Sequence, residues 1–345
     1  MNFYLIEYAF PRIINIYKII MRINTAIIFF LFQLFISGCT CNHGPEPIHR
    51  FENYRFNRFD SIQSRVMLPP DMVLQYLRNL DGRPDYSGYL PAGQSMHDLE
   101  KAISLLPPLN RSLLNRRLLG IYFIPGFMGS GLTEWVADKK GTVYAFMVLN
   151  PVVLKSDISE LLTIKENTCF INDDPGVSIR INAGNQYSGL LYILLHETIH
   201  LVDYIKNITP NVDDSINKYQ RKKIRSTPFT RDVWEAYDRP RVKYSFSGRV
   251  SFYGINKPKL RRSESLSVYR ELSDSPFVSL YGSQSWAEDL AELATFYHIT
   301  EILKQPYDIQ VIRGTRILQS IRPMDSPNVR RRFSLLELLY VHEAP

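Results

Sequence analysis

The fold of this chain is decided by His196-Glu197-Thr198-Ile199-His200, a His-Glu-x-x-His motif inside a long apolar run. Residues four apart lie on one face of an α-helix, so both histidines can reach one metal ion, with Glu197 beside the water that the metal would hold. The apolar flanks predict a deeply buried helix. The alternative is a buried helix with two hydrogen-bonded histidines, but burying these groups without a partner is costly, and a divalent cation is the simplest partner.

Such a site needs a third protein ligand, and a second apolar segment offers candidates. This segment runs from Tyr281 to Tyr297 and carries Glu288 and Glu292, which are four apart and share a helix face. One of them can bind the metal while the other hydrogen-bonds a ligating histidine. Asp203 shares the face of the two histidines and is predicted to orient one of them. The alternative for the two glutamates is a solvated helix face.

The two motifs together resemble those of the zinc-peptidase domain of anthrax lethal factor and the related Pro-Pro endopeptidases. The second motif reads Tyr-Gly-x-x-x-x-Ala-Glu-x-x-Ala-Glu from Tyr281 to Glu292. The resemblance implies that Glu288 is the third zinc ligand and that Tyr281 assists catalysis, where the alternative for Tyr281 is a packing role. It also implies an α+β, zincin-like metallopeptidase fold. In that fold a mixed sheet accompanies one helix that carries the histidines and another that carries Glu288.

The chemistry expected from this site is peptide hydrolysis with one zinc ion per chain. Zinc held by His196, His200 and Glu288 would lower the pKa of a bound water. Glu197 would act as the general base. The Tyr281 hydroxyl would donate a hydrogen bond to the developing oxyanion. The motifs therefore predict a zinc metalloendopeptidase.

A substrate strand is predicted just before the histidine helix. The segment Gly176–Asn182 alternates between apolar and polar residues, which is typical of a strand. In zincins a strand at the edge of the sheet, above the metal, pairs with an extended substrate through backbone hydrogen bonds. The resemblance therefore implies that Ser178, Ile179, Arg180 and Ile181 bind the substrate.

The N-terminal region predicts a secretory leader over residues 1–38. A positive residue and an apolar stretch follow Met21, where the signal peptide would start. The stretch ends in Ile36-Ser37-Gly38-Cys39, which resembles the lipobox of bacterial lipoproteins, and residues 39–60 would form a tether. Lipid on Cys39 would anchor the protein in the membrane of the bacterial cell envelope, at the outer membrane or the periplasmic face. The alternative is an uncleaved membrane anchor.

Residues 61–345 are then predicted to form one metallopeptidase domain. The predicted elements that precede the motif helices are helices over 69–118, strands over Leu119–Ile124 and Thr142–Leu149, a glycine-rich loop over 126–131, and the strand described above.

A basic insertion over residues 207–280 separates the two motifs. Residues 218–270 contain 15 lysines and arginines against 4 aspartates and glutamates, a net charge of +11, whereas the whole chain carries +7. This charge suits an acidic envelope polymer, an anionic lipid or an acidic protein. The alternative is a solvated basic surface. The predicted location excludes nucleic acid as a partner, and aromatic residues throughout the insertion predict that it is folded.

The expected function is that of a lipid-anchored zinc metallopeptidase acting on a peptide or protein substrate. The alternatives are a non-catalytic, metal-containing binding lipoprotein of the cell envelope and a zinc amidase acting on cell-wall peptides. The presence of Glu197 favours an enzyme. A structural zinc site needs no general base and usually closes its fourth position with another protein ligand.

Overall fold

A three-stranded sheet and the long helix packed against it form the framework of the molecule. The computed structural model describes residues 46–221, 223–254 and 257–341. Within these ranges, helices α1 to α9 span Asp71–Asp81, Gln94–Ser104, Pro108–Arg117, Ile158–Asn167, Gly189–Lys206, Asp214–Gln220, Ser265–Asp274, Trp286–Tyr297 and Pro327–Arg330. Strands β1 to β10 span Leu118–Phe123, Gly131–Ala137, Val143–Leu149, Phe170–Ile171, Val177–Asn182, Trp234–Ala236, Arg239–Pro240, Leu260–Arg261, Asp308–Arg313 and Arg316–Ile321.

The strands pair into two three-stranded sheets and two short two-stranded ones. In the first sheet, of order β1-β3-β2, β1 runs parallel to β3, and β2 runs antiparallel to β3 at the edge. The second sheet is antiparallel and has the order β10-β9-β5. The short pairs are β4-β8 and β6-β7. This combination of helices with small mixed sheets is an α+β fold, as predicted.

Helix α5 carries the His-Glu-x-x-His motif through the centre of the main core. Every residue from Gly189 to Ile199 is buried, as the apolar flanks of the motif predicted. The helix packs against α3, α4, α8 and β2, and it ends at Asn207, which adopts a left-handed conformation with φ of 53°. Because α5 is enclosed by other elements, the positions of its histidines are fixed by packing on several sides.

Most predicted elements upstream of α5 are present. Helices α1 to α3 occupy the predicted helical region 69–118, and β1 and β3 match the two predicted strands to within one residue at each end. Strand β2 was not predicted. Its first residue, Gly131, also ends the glycine-rich stretch 126–131 that was predicted to be a loop.

The folded part begins earlier than the sequence predicted. Contacts within the chain separate Met1–Glu46 from Pro47–Pro345, and Ile48 is buried in a hydrophobic cluster of the latter unit. Residues 47–60 of the predicted tether therefore lie in the unit Pro47–Pro345. The predicted leader and Cys39 lie outside the described residues. Within the described ranges, no helix is long and apolar enough to cross a membrane.

The basic insertion is folded, as predicted, and contributes to the main core. The side chains of the insertion that are buried in the same cluster as those of α5 include Phe229, Trp234, Phe246, Phe252 and Leu260. The insertion also includes helices α6 and α7. It is thus an integral part of the domain that surrounds the two motif helices.

Candidate metal centre

Three metal-binding side chains converge where α5 meets α8. The Nε2 atoms of His196 and His200 are 3.2 Å apart. Glu288 Oε2 lies 3.1 Å from the first of these nitrogens and 3.8 Å from the second. Metal–ligand bonds of about 2.1 Å in tetrahedral geometry separate the donor atoms by about 3.4 Å. One divalent ion would therefore fit among the three, which is the ligand set that the sequence predicted.

The start of helix α8 positions Glu288. The Ser285 side chain caps the helix by accepting a hydrogen bond from the Glu288 backbone N–H, at 3.3 Å. Glu288 therefore lies in the first turn, where the helix dipole favours a negative charge. The cap and the dipole hold this carboxylate, in its ionised form, facing the histidines of α5.

Glu292 orients one of the histidines from the next turn of α8. Its Oε1 lies 3.0 Å from His196 Nδ1, and the same oxygen accepts a hydrogen bond from the Tyr192 hydroxyl at 2.5 Å. Its other oxygen accepts a hydrogen bond from the Ser279 hydroxyl at 2.6 Å. A proton on His196 Nδ1 directs the lone pair of Nε2 toward Glu288 and His200. The structure thus brings Glu292 to the histidine, as predicted.

Burial and local charges favour metal-compatible protonation states at each of these groups except His196. Burial lowers the pKa of His200 to about 4, so this imidazole is neutral at neutral pH. Burial opposes the ionisation of Glu292, yet Lys165 and His196 lower its pKa to about 2. Burial likewise opposes the ionisation of Glu288, but the neighbouring histidines lower its pKa. His196 differs: burial opposes its charge, but the two glutamates raise its pKa to about 9, so a metal would have to displace a proton there.

Glu197 lies beside the three donors as a buried carboxyl. Its Oε2 accepts a hydrogen bond from the Thr133 hydroxyl on β2, at 2.8 Å. Burial raises the pKa of Glu197 to about 7, although His196 and the bond from Thr133 oppose this increase. A carboxyl group with a pKa near 7 can both accept and return a proton at neutral pH.

Strand β2 passes so close to Glu197 that only glycine fits at its first residue. A Cβ atom on Gly131 would lie 2.6 Å from Glu197 Oε1 and 2.9 Å from Ile193 Cγ2. Sequence reasoning missed both Gly131 and Thr133. The signal that would have identified the strand is the β-branched and aromatic stretch Leu132–Ala137, which follows the last glycine of the glycine-rich stretch.

Tyr281 also lies at the site, as predicted. Its ring centroid is 5.7 Å from that of His196. On another side, the ring of Phe252 meets it edge-on at 5.1 Å. Because Phe252 belongs to the basic insertion, the insertion forms part of the wall around this tyrosine.

Asp203 does not reach either histidine, contrary to the prediction. Its Oδ1 accepts a hydrogen bond from the Thr209 backbone N–H at 2.7 Å, and its Oδ2 accepts one from the Thr209 hydroxyl at 2.5 Å. Both carboxylate oxygens therefore bind the loop that follows α5. Near the end of a helix, a carboxylate can bond to a backbone N–H of the segment that follows. Asp203 makes this local bond to Thr209 in place of a bond to a histidine.

The predicted substrate strand, residues Ser178 to Ile181, has no edge available for a substrate. On one side β5 pairs with β9, where the Arg180 side chain also binds Gln310. On the other side, Asn167 of α4 donates to the Ile179 carbonyl at 2.7 Å and accepts from the Ile179 N–H. Thr163 of α4 accepts from the Ile181 N–H at 2.9 Å. The assignment of substrate binding to this strand is therefore wrong, because helix α4 occupies the edge.

Comparisons with protein-family models, with curated proteins and with solved structures found no match for this chain. Among the described residues, His196, His200 and Glu288 form the group whose donor atoms lie close enough to hold a metal, all within 4.8 Å of one another. The interpretation of the site therefore depends on its geometry.

Proposed function

We propose that this protein is a zinc-dependent endopeptidase with a zincin-like fold. The position of Glu197 carries the proposal: it is a buried carboxyl beside a set of three donors, with a pKa of about 7. A metal site that only stabilises a fold takes four protein ligands and needs no base. Here three donors converge within the described part of the chain, and Glu197, the residue next to His196, is a group suited to proton transfer.

The donors present fit zinc. Two imidazole nitrogens and one carboxylate oxygen are the protein ligands of one large class of catalytic zinc sites. The bond from His196 Nδ1 to Glu292 is the support that such histidines usually have. When bound, zinc would lower the pKa of a coordinated water and polarise the substrate carbonyl.

The side chains around the donors supply the remaining functions. Glu197 would accept the proton of the attacking water and return it to the leaving amine. The Thr133 hydroxyl holds Oε2 of Glu197 and thereby fixes the direction of the carboxyl group. The Tyr281 hydroxyl would donate a hydrogen bond to the oxygen that becomes negative when the carbonyl is attacked.

The strand that we propose for substrate binding is β2. It is the edge strand of its sheet and carries Thr133, which binds Glu197. The Trp135 carbonyl points away from β3, because it bonds to the His49 ring at 2.8 Å. Backbone groups alternate in direction along an antiparallel strand. The backbone groups of Gly131 and Thr133 therefore also point outward, where an extended peptide can pair with them.

The N-terminal segment of the domain limits the length of this edge. The His49 ring stacks on Trp135 with a centroid distance of 4.0 Å, and Arg50 forms a bridge with Ala137. The second half of β2 is therefore already covered by the chain itself. We expect the enzyme to bind only a short stretch of substrate backbone on this side, along Gly131–Thr133.

The attachment and the partners in the envelope remain predictions from the sequence. The lipobox at Cys39 would place the catalytic domain at a membrane surface outside the cytoplasm. The basic insertion would face an acidic polymer or protein there. Both predictions are consistent with a peptidase that acts on proteins or peptides of the cell envelope.

The proposal is tested on the purified chain with two variants. Wild type and Glu197→Gln should each contain about one zinc ion by elemental analysis, since Glu197 is not a ligand. Glu288→Ala should contain little zinc. Wild type should hydrolyse fluorescently labelled casein, and Glu197→Gln should be slower by about 10²- to 10⁴-fold.

Other outcomes would overturn the proposal or redirect it. A wild-type protein that takes up no zinc after reconstitution would refute it. Zinc binding with release of peptides from purified peptidoglycan, but without casein hydrolysis, would identify a cell-wall amidase. Zinc binding without either activity would leave a metal-containing binding lipoprotein.

A further inference from the structure

A buried lysine, Lys165 of α4, lies directly behind the candidate metal ligands. Its side chain is enclosed, and the residue is 4 % exposed. Its Nζ donates a hydrogen bond to the Tyr192 hydroxyl at 2.7 Å and lies 3.6 Å from Glu292 Oε1. The same Nζ lies 3.5 Å from the centroid of the Tyr281 ring. One ammonium group therefore contacts the partner of His196 and the proposed oxyanion donor at once.

Stability alone does not explain a charge at this position. Lys165 occupies the buried face of α4 together with Ile158, Leu161 and Leu162. An apolar residue there would continue this hydrophobic face and leave Glu166, which bonds to Tyr269, as the buried charged residue of the helix. Buried ion pairs can often be replaced by well-packed apolar residues without loss of stability, because removing both charges from water is costly. A fixed cation at this point calls for another role.

We propose that Lys165 is a positioning residue of the metal centre, holding Tyr281 by its ring face and holding the Glu292 carboxylate in place against His196. The inference rests on the proposed function, because it assumes that the three donors bind a metal and that Tyr281 assists the reaction. It extends that function to a residue on a different helix that carries neither motif.

The contact with Glu292 acts on the metal ligand. Oε1 of Glu292 accepts hydrogen bonds from Tyr192 and from His196 Nδ1 in a fully buried position. Lys165 Nζ approaches the same oxygen from the side of α4, at 3.6 Å, and donates a hydrogen bond to the Tyr192 hydroxyl that bonds to it. Without the ammonium group, the Glu292 carboxylate is free to turn away from His196, and the imidazole would lose the bond that directs Nε2 to the metal.

The contact with Tyr281 acts on the ring. A desolvated cation on the face of an aromatic ring is attracted to it more strongly than an exposed one. Phe252 meets the ring of Tyr281 edge-on, so the cation and the phenylalanine together restrict its plane.

The first experiment measures zinc affinity by competition with a chelator and needs no peptidase activity. Lys165→Met removes the charge at similar length, and Lys165→Arg keeps it. Glu166→Gln is the matched control, since Glu166 is the next residue on α4, is also buried, and bonds to Tyr269 at 2.6 Å. We expect zinc to bind about 10- to 100-fold more weakly to Lys165→Met, and Lys165→Arg to recover most of the loss. The control should bind zinc like wild type.

The second experiment tests the action through Tyr281 with a double-mutant cycle on casein hydrolysis. Lys165→Met and Tyr281→Phe should each lower kcat and leave KM nearly unchanged. In zinc-saturated protein, the double variant should be little slower than Tyr281→Phe alone, because the two residues act as a unit. Losses that simply multiply would show that Lys165 does not act through Tyr281.

The zinc measurement also separates this inference from the proposed function. Wild-type zinc affinity in Lys165→Met, or an equal loss in Glu166→Gln, would overturn the positioning role. If Lys165→Met does not fold by circular dichroism, Lys165→Gln replaces it, since glutamine can still bond to Tyr192 without a charge, and the same outcomes apply. A wild type that binds zinc but cleaves no peptide would refute the proposed function while leaving the effect of Lys165 on zinc binding measurable.

Discussion

Gly131 is the position at which one methyl group should separate metal binding from catalysis. In Gly131→Ala the new Cβ would lie 2.6 Å from Glu197 Oε1, whereas ordinary contacts begin at 3.4 Å. The carboxyl group, or the strand, must therefore move by about 0.8 Å. The hydrogen bond from Thr133 resists the movement of Glu197 at its other oxygen. The atoms nearest to the added methyl group belong to Glu197 and Ile193, and none of them is one of the three metal donors.

A displacement of about 1 Å in a catalytic group lowers the rate by about 10²-fold, or about 2.7 kcal/mol in activation free energy. Overpacking of the strand against Ile193 should also lower the free energy of unfolding by about 1–3 kcal/mol. We therefore expect Gly131→Ala to keep its zinc, by elemental analysis, and to lose about 10²-fold in kcat on casein. Thermal unfolding would measure the stability loss separately.

Gly129→Ala is the matched control in the same segment. Its Cβ would meet no neighbouring atom closer than 3.4 Å, so its activity should be close to that of wild type. Wild-type kcat in Gly131→Ala would refute the role of Glu197 as a base held against β2. Loss of zinc together with activity would show instead that the methyl group disturbs helix α5 as a whole.

Three further predictions concern other parts of the fold. Burial lowers the pKa of His298 to about 4, so its contribution to stability should fall by about 2 kcal/mol from about pH 7 to pH 5. Urea unfolding should show a weaker dependence of the unfolding free energy on pH in His298→Gln. An equal dependence would contradict the assignment of this effect to His298. Asp289→Asn leaves the buried Arg332 without its anion and should cost about 3–5 kcal/mol in urea unfolding, whereas the exposed Asp214→Asn should leave the stability nearly unchanged. His49→Ala should uncover the second half of β2 and lower KM for casein at unchanged zinc content; an unchanged KM would show that His49 does not limit the cleft.

The sequence predicted the donor set because helix spacing is local. His196 and His200 share a helix face, and so do Glu288 and Glu292, whatever the rest of the fold does. Their flanks are apolar, so burial of both helices followed from the same pattern. What remained was that the two helices meet, and the structure shows this in the 3.1 Å contact between Glu288 and His196.

The substrate strand was misassigned because alternation identifies a strand but not its neighbours. β5 alternates clearly, yet Thr163 and Asn167 of α4 satisfy its outer edge. β2 is preceded by glycines and contains Glu134, and both features made the alternation typical of a strand harder to see in the sequence. Lys165 was missed for a related reason, since a lysine is expected at the surface. Its spacing from Ile158 and Leu161 was the available sign that it faces the core.

Asp289, the residue next to Glu288, is held by contacts with two segments that lie far apart in the chain. Asp289 accepts a hydrogen bond from the Trp234 indole at 2.9 Å and forms an ion pair with Arg332. During synthesis, a chain that has not yet reached Arg332 lacks the ion pair with Asp289, although His196 and His200 have already been synthesised. Helix α8 would then not be held firmly in place, and the third donor would be absent from the site. The candidate donor set would therefore be completed only after the C-terminal part of the chain has been synthesised.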